Sequence, residues 1–320
     1  MRHDEAIPVE VAAVEQVTPL VKQFTLRRVD GGPFPPFSGG CHVVVVMHGR
    51  GRTFRNPYSL LGSPRNVDCY QIAVRRHDAG RGGSRFMHDE VRVGTRLEVG
   101  HPVNLFPLAK LARKHVFVAG GVGITPILAM VDDLRSTSAP WELHYRVRGP
   151  EHDHFGRKLR DENGNRVHLY YGSHGQTLDL GRIVANQPLG THIYTCGAEQ
   201  MVAAVAQAAK AAGWTDSHVH CERFVAPPIG DPFDVHLARS GVTVHIPSER
   251  SLLEAIEAVG VDAPYLCRGG VCGQCETEVL ELEGVLVHND HWLSDEERAA
   301  AKKIMPCVSR ARCTRLVLDR

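Results

Sequence analysis

The chain of 320 residues exceeds the roughly 250–300 residues over which a single hydrophobic core keeps growing, so it has room for two or three domains. Its charges nearly cancel, 37 Lys and Arg against 36 Asp and Glu, which argues against a nucleic-acid platform or an acidic tail. The polar N-terminus MRHDEAIPVEV lacks the apolar stretch of a secretory signal, and the longest apolar run, residues 116–131, is broken by Gly120, Gly121, Gly123 and Pro126. A soluble, cytoplasmic protein with no nucleic-acid or membrane partner is expected.

The first hundred residues read as short strands at 9–14, 21–28, 42–47, 70–75 and 95–99, separated by Gly- and Pro-rich loops such as GGPFPPFSGG. That spacing predicts a small antiparallel barrel over residues 1–109. Near residue 114 the pattern changes. An apolar strand at 115–119 runs into Gly120-Gly121-Val122-Gly123 and a helix over 125–134, and strands at 142–147, 167–171 and 192–195 follow. Helical stretches lie between them, the clearest at 198–212, so residues 110–225 are expected to form an α/β domain on a parallel sheet. The segment 226–234, APPIGDPFD, carries three prolines and reads as a linker. Residues 235–320 form a compact module: strands at 235–238 and 242–246, a helix at 248–259, a Cys- and Gly-rich loop, and strands at 276–281 and 315–318.

Five of the nine cysteines crowd the last sixth of the chain, which suggests a metal site before a disulfide framework. Cys267-Arg268-Gly269-Gly270-Val271-Cys272-Gly273-Gln274-Cys275, with a distant Cys307, has the spacing of a plant-type [2Fe-2S] site. Two irons need four soft, anionic sulfurs, and the glycines let the loop wrap and aim N–H groups at the sulfurs. A zinc site built on Cys272, Cys275, Cys307 and Cys313 is the competing reading, and it leaves Cys267 without a role. Cys313 is expected to be a spare thiol beside the last strand.

With HNDHWLSDEER ahead of the fourth cysteine, this module resembles the ferredoxin domain of the phthalate dioxygenase reductase family. The order of barrel, α/β domain and C-terminal module resembles that family over essentially the whole chain. The resemblance implies a flavin-binding antiparallel barrel, a ferredoxin-reductase-type parallel-sheet NAD domain and a β-grasp [2Fe-2S] domain. Arg55-Asn56-Pro57-Tyr58-Ser59 is similar to the family's Arg-x-Tyr-Ser flavin motif, with two residues instead of one between Arg and Tyr. Arg55 is expected at the flavin phosphate, through charge-assisted hydrogen bonds, Tyr58 on the ring face and Ser59 at the ring nitrogen. Gly80, Gly82, Gly83 and Ser84 are similar to the family's phosphate loop, which implies FMN over FAD.

Gly120, Gly121, Gly123 and Thr125 follow an apolar strand and open a helix, where close backbone approach and a helix N-terminus favour a pyrophosphate. Cys196-Gly197 matches the family's pair beside the nicotinamide ring, and Phe224, after Glu222, stands where the family has an aromatic near the flavin. The resemblance implies NADH as donor; Arg146 and Arg148 leave NADPH open.

The nineteen histidines show no i, i+4 helical pair of a zinc hydrolase and no Cys-x-His pair of a Rieske centre, so they are read as solvated or core residues. The expected function is an NADH-dependent flavin and iron–sulfur reductase, a monomer that passes electrons to a separate Rieske-type oxygenase or demethylase. Alternatives are a reductase for a haem monooxygenase and a metal- or flavin-binding sensor without turnover.

Overall fold

The computed structural model describes residues 6–49, 51–224 and 227–320. They divide into two compact units, one of residues up to Asp78 together with Gly83–Arg223, the other of Ala79–Gly82 together with Phe224–Arg320. Ala226, at the head of the expected linker, lies outside the described residues.

The first unit carries two sheets. One is built from β1 (Ile7–Thr18), β2 (Val21–Arg28), β3 (Cys41–Gly49), β4 (Arg52–Leu61), β5 (Tyr70–Arg75), β6 (Arg96–Val99) and β7 (Val103–Asn104), with helix α1 (Gly83–Asp89) between β5 and β6. The antiparallel pairings run β3–β4–β5–β2–β1–β6 and back to β3, so six strands close into a ring, as the strand spacing predicts. Alternation along the strands turns Val9, Val11, Phe24, Leu26, Val43, Val45 and Met47 inward, where all seven are buried. Helix α1 adds Phe86 and Met87 to that core, and Phe86 sits so close to Gly49 that a Cβ there would overlap its ring.

The other sheet consists of β8 (Lys114–Gly120), β9 (Trp141–Val147), β10 (Val167–Tyr171), β11 (Thr191–Cys196) and β12 (Val219–Glu222), with helices α2 (Thr125–Leu134), α3 (Phe155–Asn163), α4 (Leu180–Val184) and α5 (Glu199–Ala211) in the connections. All its pairings are parallel, in the order β10-β9-β8-β11-β12. Strand β8 is buried from His115 to Ala119 because helices cover both faces, which is why it reads as an unbroken apolar run. The order reverses between β8 and β11, and in open α/β sheets such a switch point opens a crevice at the carboxyl ends of the strands.

The second unit holds β13 (Phe233–Leu237), β14 (Val242–Ile246), α6 (Leu252–Ala258), β15 (Thr277–Val287), α7 (Asp295–Ala300), β16 (Lys303–Ile304) and β17 (Arg310–Leu318). Its sheet order is β14-β13-β17-β15-β16, with β13 parallel to β17 and its other pairings antiparallel, and α6 packs Leu252, Leu253 and Ile256 onto it in the manner of a β-grasp.

Several elements depart from the sequence reading. Strand β4 stands out less in the sequence pattern than its neighbours, since Pro57 and two arginines mask it, and its register with β3 runs without a bulge. Strand β5 covers β4 only at Leu60 and Leu61, so at Pro57 one side is an edge and a missing N–H is tolerated. Helix α6 begins after Ser251 and not at 248, because Ser251 and Glu254 form a reciprocal capping box. Strand β13 starts at Phe233, inside the expected linker, since Phe233 pairs with Ile246 and is buried.

Candidate functional site

The carboxyl ends of β8 and β11 press two glycine turns together. A Cβ on Gly123 would lie 2.3 Å from the Cys196 carbonyl oxygen, and one on Gly197 would lie 3.1 Å from the Gly120 Cα. Gly121 adopts φ +54° and has open space where a side chain would stand. Side chains are therefore excluded where a dinucleotide has to approach the backbone. Thr125 Oγ1 donates to the Val122 carbonyl at 2.9 Å and Tyr145 Oη to the Gly121 carbonyl at 3.0 Å, which fixes the shape of the turn. Thr125 is buried and acts on the loop's own backbone.

Cys196 ends β11 with its side chain fully buried, and its register partner across β12 is Glu222. Burial, reinforced by Glu222, pushes the Cys196 thiol up. Burial also pushes the Glu222 carboxyl up to about 8, against a lowering contact with the thiol, and its Oε2 has no hydrogen-bond partner among the described residues. A neutral carboxylic acid and a neutral thiol thus meet at the mouth of the crevice, a polar pair that can face a nicotinamide without charge.

On β4 the pairing with β3 is unbroken from His42–Ser59 to Gly49–Arg52, so side chains alternate strictly. Asn56 and Tyr58 therefore share the face of Val45 and Val43, while Arg55 and Ser59 lie on the other. The extra residue in the motif places Asn56, and not Arg55, two positions ahead of Tyr58 on its face. Asn56 Nδ2 donates to Tyr58 Oη at 3.1 Å, and its amide packs against Gly83, where a Cβ would come within 2.6 Å. Burial pushes the Tyr58 hydroxyl up to about 12, so it stays neutral.

Of the expected phosphate loop, Gly82 is left-handed at φ +103°, Gly83 opens α1, and Ser84 Oγ accepts the His77 N–H at 3.1 Å. Gly80 and Gly82 group with the second unit. Arg85, in α1, has a buried Nε with no hydrogen-bond partner among the described residues. An orphaned guanidinium nitrogen beside a glycine loop fits a flavin phosphate. The sequence reading passed over it, since an arginine inside a helix carries no motif signal. Phe224 groups with the second unit and is 49 % exposed.

In the second unit, Cys267, Cys275 and Cys307 are buried and Cys272 is partly exposed. Cys275 and Cys307 sulfurs lie 3.3 Å apart, and the Cys272 and Cys307 thiols are close enough to Cys267 to shift its titration. Those thiols, with the N–H groups of Val271 and Gly269, lower the Cys267 pKa, the Gly269 N–H at 3.3 Å from its sulfur. Four converging sulfurs with backbone donors fit a [2Fe-2S] cluster, and Cys313 stands apart on β17 opposite Gly284. The 288–293 segment buttresses the loop: Asp290 packs on Gly270 and the Trp292 ring on Gly273.

A second set of ligand-type groups, Glu142, His144 and His168, comes within 4.8 Å on β9 and β10. Lys114 Nζ at 2.9 Å and Gln187 Nε2 at 3.1 Å occupy the carboxylate, and the two imidazoles stack 14° from parallel with centroids 4.7 Å apart. An ion cannot lie in both ring planes, so this set is structural. His115, His192 and His220 line the other face around Tyr194, and burial pushes His115 and His220 down to about 4.

A closed barrel with an aromatic flavin motif, a parallel sheet with a glycine-walled crevice and a four-thiol loop define a flavin- and nicotinamide-dependent iron–sulfur reductase. Residues 103–219 match the family model for dimethylamine monooxygenase subunit DmmA-like, N-terminal domain, and residues 235–312 the 2Fe-2S iron-sulfur cluster binding domain. The chain is 43 % identical over 319 residues to the carnitine monooxygenase reductase subunit of Acinetobacter baumannii, covering 99 % of each. It is 43 % identical over 314 residues to the heme-dependent oxidative N-demethylase beta subunit of Ectopseudomonas mendocina, covering 98 % of each. Among solved structures, phthalate dioxygenase reductase, described as modular for electron transfer from pyridine nucleotides to [2Fe-2S], superposes with a TM-score of 0.89 at 34 % identity, over 100 % of this chain and 99 % of that one. The chain belongs to the phthalate dioxygenase reductase family of oxygenase reductase components. It is an oxidoreductase for electron transfer that carries a 2Fe-2S cluster binding domain and a nicotinamide-binding reductase domain. Among the described residues no helix is long and apolar enough to cross a membrane.

Proposed function

We propose that this chain is the NADH-dependent reductase of a multicomponent oxygenase and serves a separate Rieske-type terminal component acting on a methylated amine. The observation that carries it is the convergence of four thiols in a chain that also holds the glycine-walled crevice, supported by the full-length likeness to the carnitine monooxygenase reductase subunit. Flavin accepts hydride from nicotinamide and yields electrons singly, as an iron–sulfur acceptor requires. The proposed limits are a flavin domain at 1–109, a nicotinamide domain at 110–225, a linker at 226–234 and a ferredoxin domain at 235–320. The protein acts in the cytoplasm as a monomer.

Gly120, Gly121, Gly123 and Gly197 leave the backbone bare for the dinucleotide, and Thr125 holds the turn that receives the pyrophosphate. Cys196 and Glu222 border the nicotinamide, and burial favours the protonated form of both, so the wall they offer is polar and neutral. Tyr58 covers a flavin face, oriented by Asn56, with Ser59 next along the strand. Gly83, Ser84 and Arg85, beside Asn56 on the face of Tyr58, hold the phosphate. Cys267, Cys272, Cys275 and Cys307 bind the cluster.

A second reading, a haem oxygenase partner, is favoured by the equally extensive likeness to the N-demethylase subunit. Purified holoprotein mixed with NADH and either a Rieske-type carnitine oxygenase or a haem N-demethylase catalytic subunit separates the two. Substrate-dependent NADH oxidation with the Rieske component is expected; coupling with the haem subunit alone would favour the second reading, and coupling with neither would refute both partners.

A further inference from the structure

Arg268 follows the first cluster cysteine directly, yet it is held at φ +50°, a conformation that L side chains rarely adopt, while glycines occupy positions 269 and 270. A loop that needed only this shape could use glycine here too. The side chain is instead drawn inward and is only 6 % exposed. Its Nη1 donates to Glu257 Oε2 on α6 at 3.0 Å, Nη2 donates to Oε1 of the same carboxylate, and the guanidinium lies over the Tyr265 ring with Cζ 3.7 Å from its centroid. Such a fork-to-fork pair is rigid, and Tyr265 holds the guanidinium plane. A non-glycine residue kept in a disfavoured conformation at a functional loop calls for a functional reason.

A [2Fe-2S] cluster on four thiolates is a dianion, and it gains one more negative charge when a single electron reduces one iron, with no bond broken. Buried charges nearby bias that step: a cation favours the reduced form and an anion the oxidised one. We propose that the Arg268–Glu257 pair trims the reduction potential of the cluster, the guanidinium raising it and the carboxylate lowering it. This rests on the assignment of the four thiols to a [2Fe-2S] cluster. In the same turn the Gly269 N–H reaches Cys267 Sγ at 3.3 Å, so the charge of Arg268 sits one residue from the hydrogen-bonded first ligand.

The test is an EPR-monitored reductive titration of the holoprotein and three variants, Arg268→Gly, Glu257→Gln and the double variant Arg268→Gln/Glu257→Gln. Glycine adopts the left-handed conformation without cost, so Arg268→Gly leaves the backbone turn accessible while removing the guanidinium with its contacts to Glu257 and Tyr265. The expected result is a drop of about tenfold in the one-electron reduction constant for Arg268→Gly, about 59 mV, and a rise of similar size for Glu257→Gln. The double variant should return to within about threefold of the unsubstituted protein, as removal of a compensating pair requires. A native potential in Arg268→Gly, or shifts of the same sign in both single variants, would overturn the proposal. If Arg268→Gly fails to retain iron, the sign of the Glu257→Gln shift decides alone. Lack of a cluster in the unsubstituted protein would instead overturn the thiol assignment beneath it.

Discussion

The glycine turn between β8 and α2 and the cysteine loop after α6 are both short and glycine-rich, yet they encode their ligands in opposite ways. At 120–123 the information is the lack of side chains: Gly123 lies against Cys196 and Gly120 against Gly197, a packing that leaves no room for a side chain. At 267–275 it lies in side chains, three thiols that Cys307 joins from outside the loop and an inward arginine, with Gly270 and Gly273 standing where Asp290 and Trp292 press on the loop. The first design tolerates no added atom, whereas the second tolerates no lost one.

The largest effect should come from removing a ligand in the second region. Cys307→Ser is expected to lose the cluster's visible absorption and nearly all its iron, while NADH still reduces the flavin at a rate within about twofold of the unsubstituted protein. Full iron content would break the ligand assignment. Cys313→Ser serves as the control and should leave the iron unchanged.

Adding a methyl to the first region is the mirror experiment. Gly123→Ala places a Cβ 2.3 Å from the Cys196 carbonyl oxygen, which only backbone movement relieves. Overpacking of this kind costs about 1–3 kcal/mol, and the displaced turn should lower kcat/KM for NADH by at least about tenfold. Iron content should not change, and an unaffected kcat/KM would show that the turn does not meet the nicotinamide.

The pH response sharpens the contrast further. A Glu222 proton kept up to about 8, against an ordinary value of 4.5, gives stability that is present below 4.5 and lost as pH rises toward 8. His115 and His220, pushed down to about 4 from 6.5, contribute the reverse: stability present above 6.5 and lost as pH falls toward 4. Between 6.5 and 8 only Glu222 of these three slopes the curve, so the denaturation midpoint of the first unit should fall over that range. Glu222→Gln should flatten it; an unchanged slope would refute the neutral carboxyl. The smallest effect belongs to Ser251→Ala, which removes the α6 cap and should cost about 1 kcal/mol in the second unit, read by denaturant unfolding.

The same contrast explains what the sequence made legible. The thiol spacing could be read because the ligands are the motif, and the glycine turn because an apolar strand leads into it. Strand β4 was harder to read because Pro57 and its arginines disguise a half-open strand, and so was the parity that sets Asn56 on the face of Tyr58. Arg85 had no sequence signal, since an unsatisfied nitrogen is a property of packing. The role of Arg268 was hidden for the same reason: its backbone angle and its pairing with Glu257 exist only after α6 has docked.

The central claim is a relay within one chain from a two-electron donor to a one-electron centre. Anaerobic titration of the purified holoprotein with NADH, followed by visible absorbance and EPR, tests it most directly. The account predicts bleaching of both flavin and iron–sulfur bands with uptake of about three electrons per chain, together with the EPR signal of a reduced [2Fe-2S] cluster. Flavin bleaching with a cluster that stays oxidised and EPR-silent, or zinc in place of iron, would contradict it.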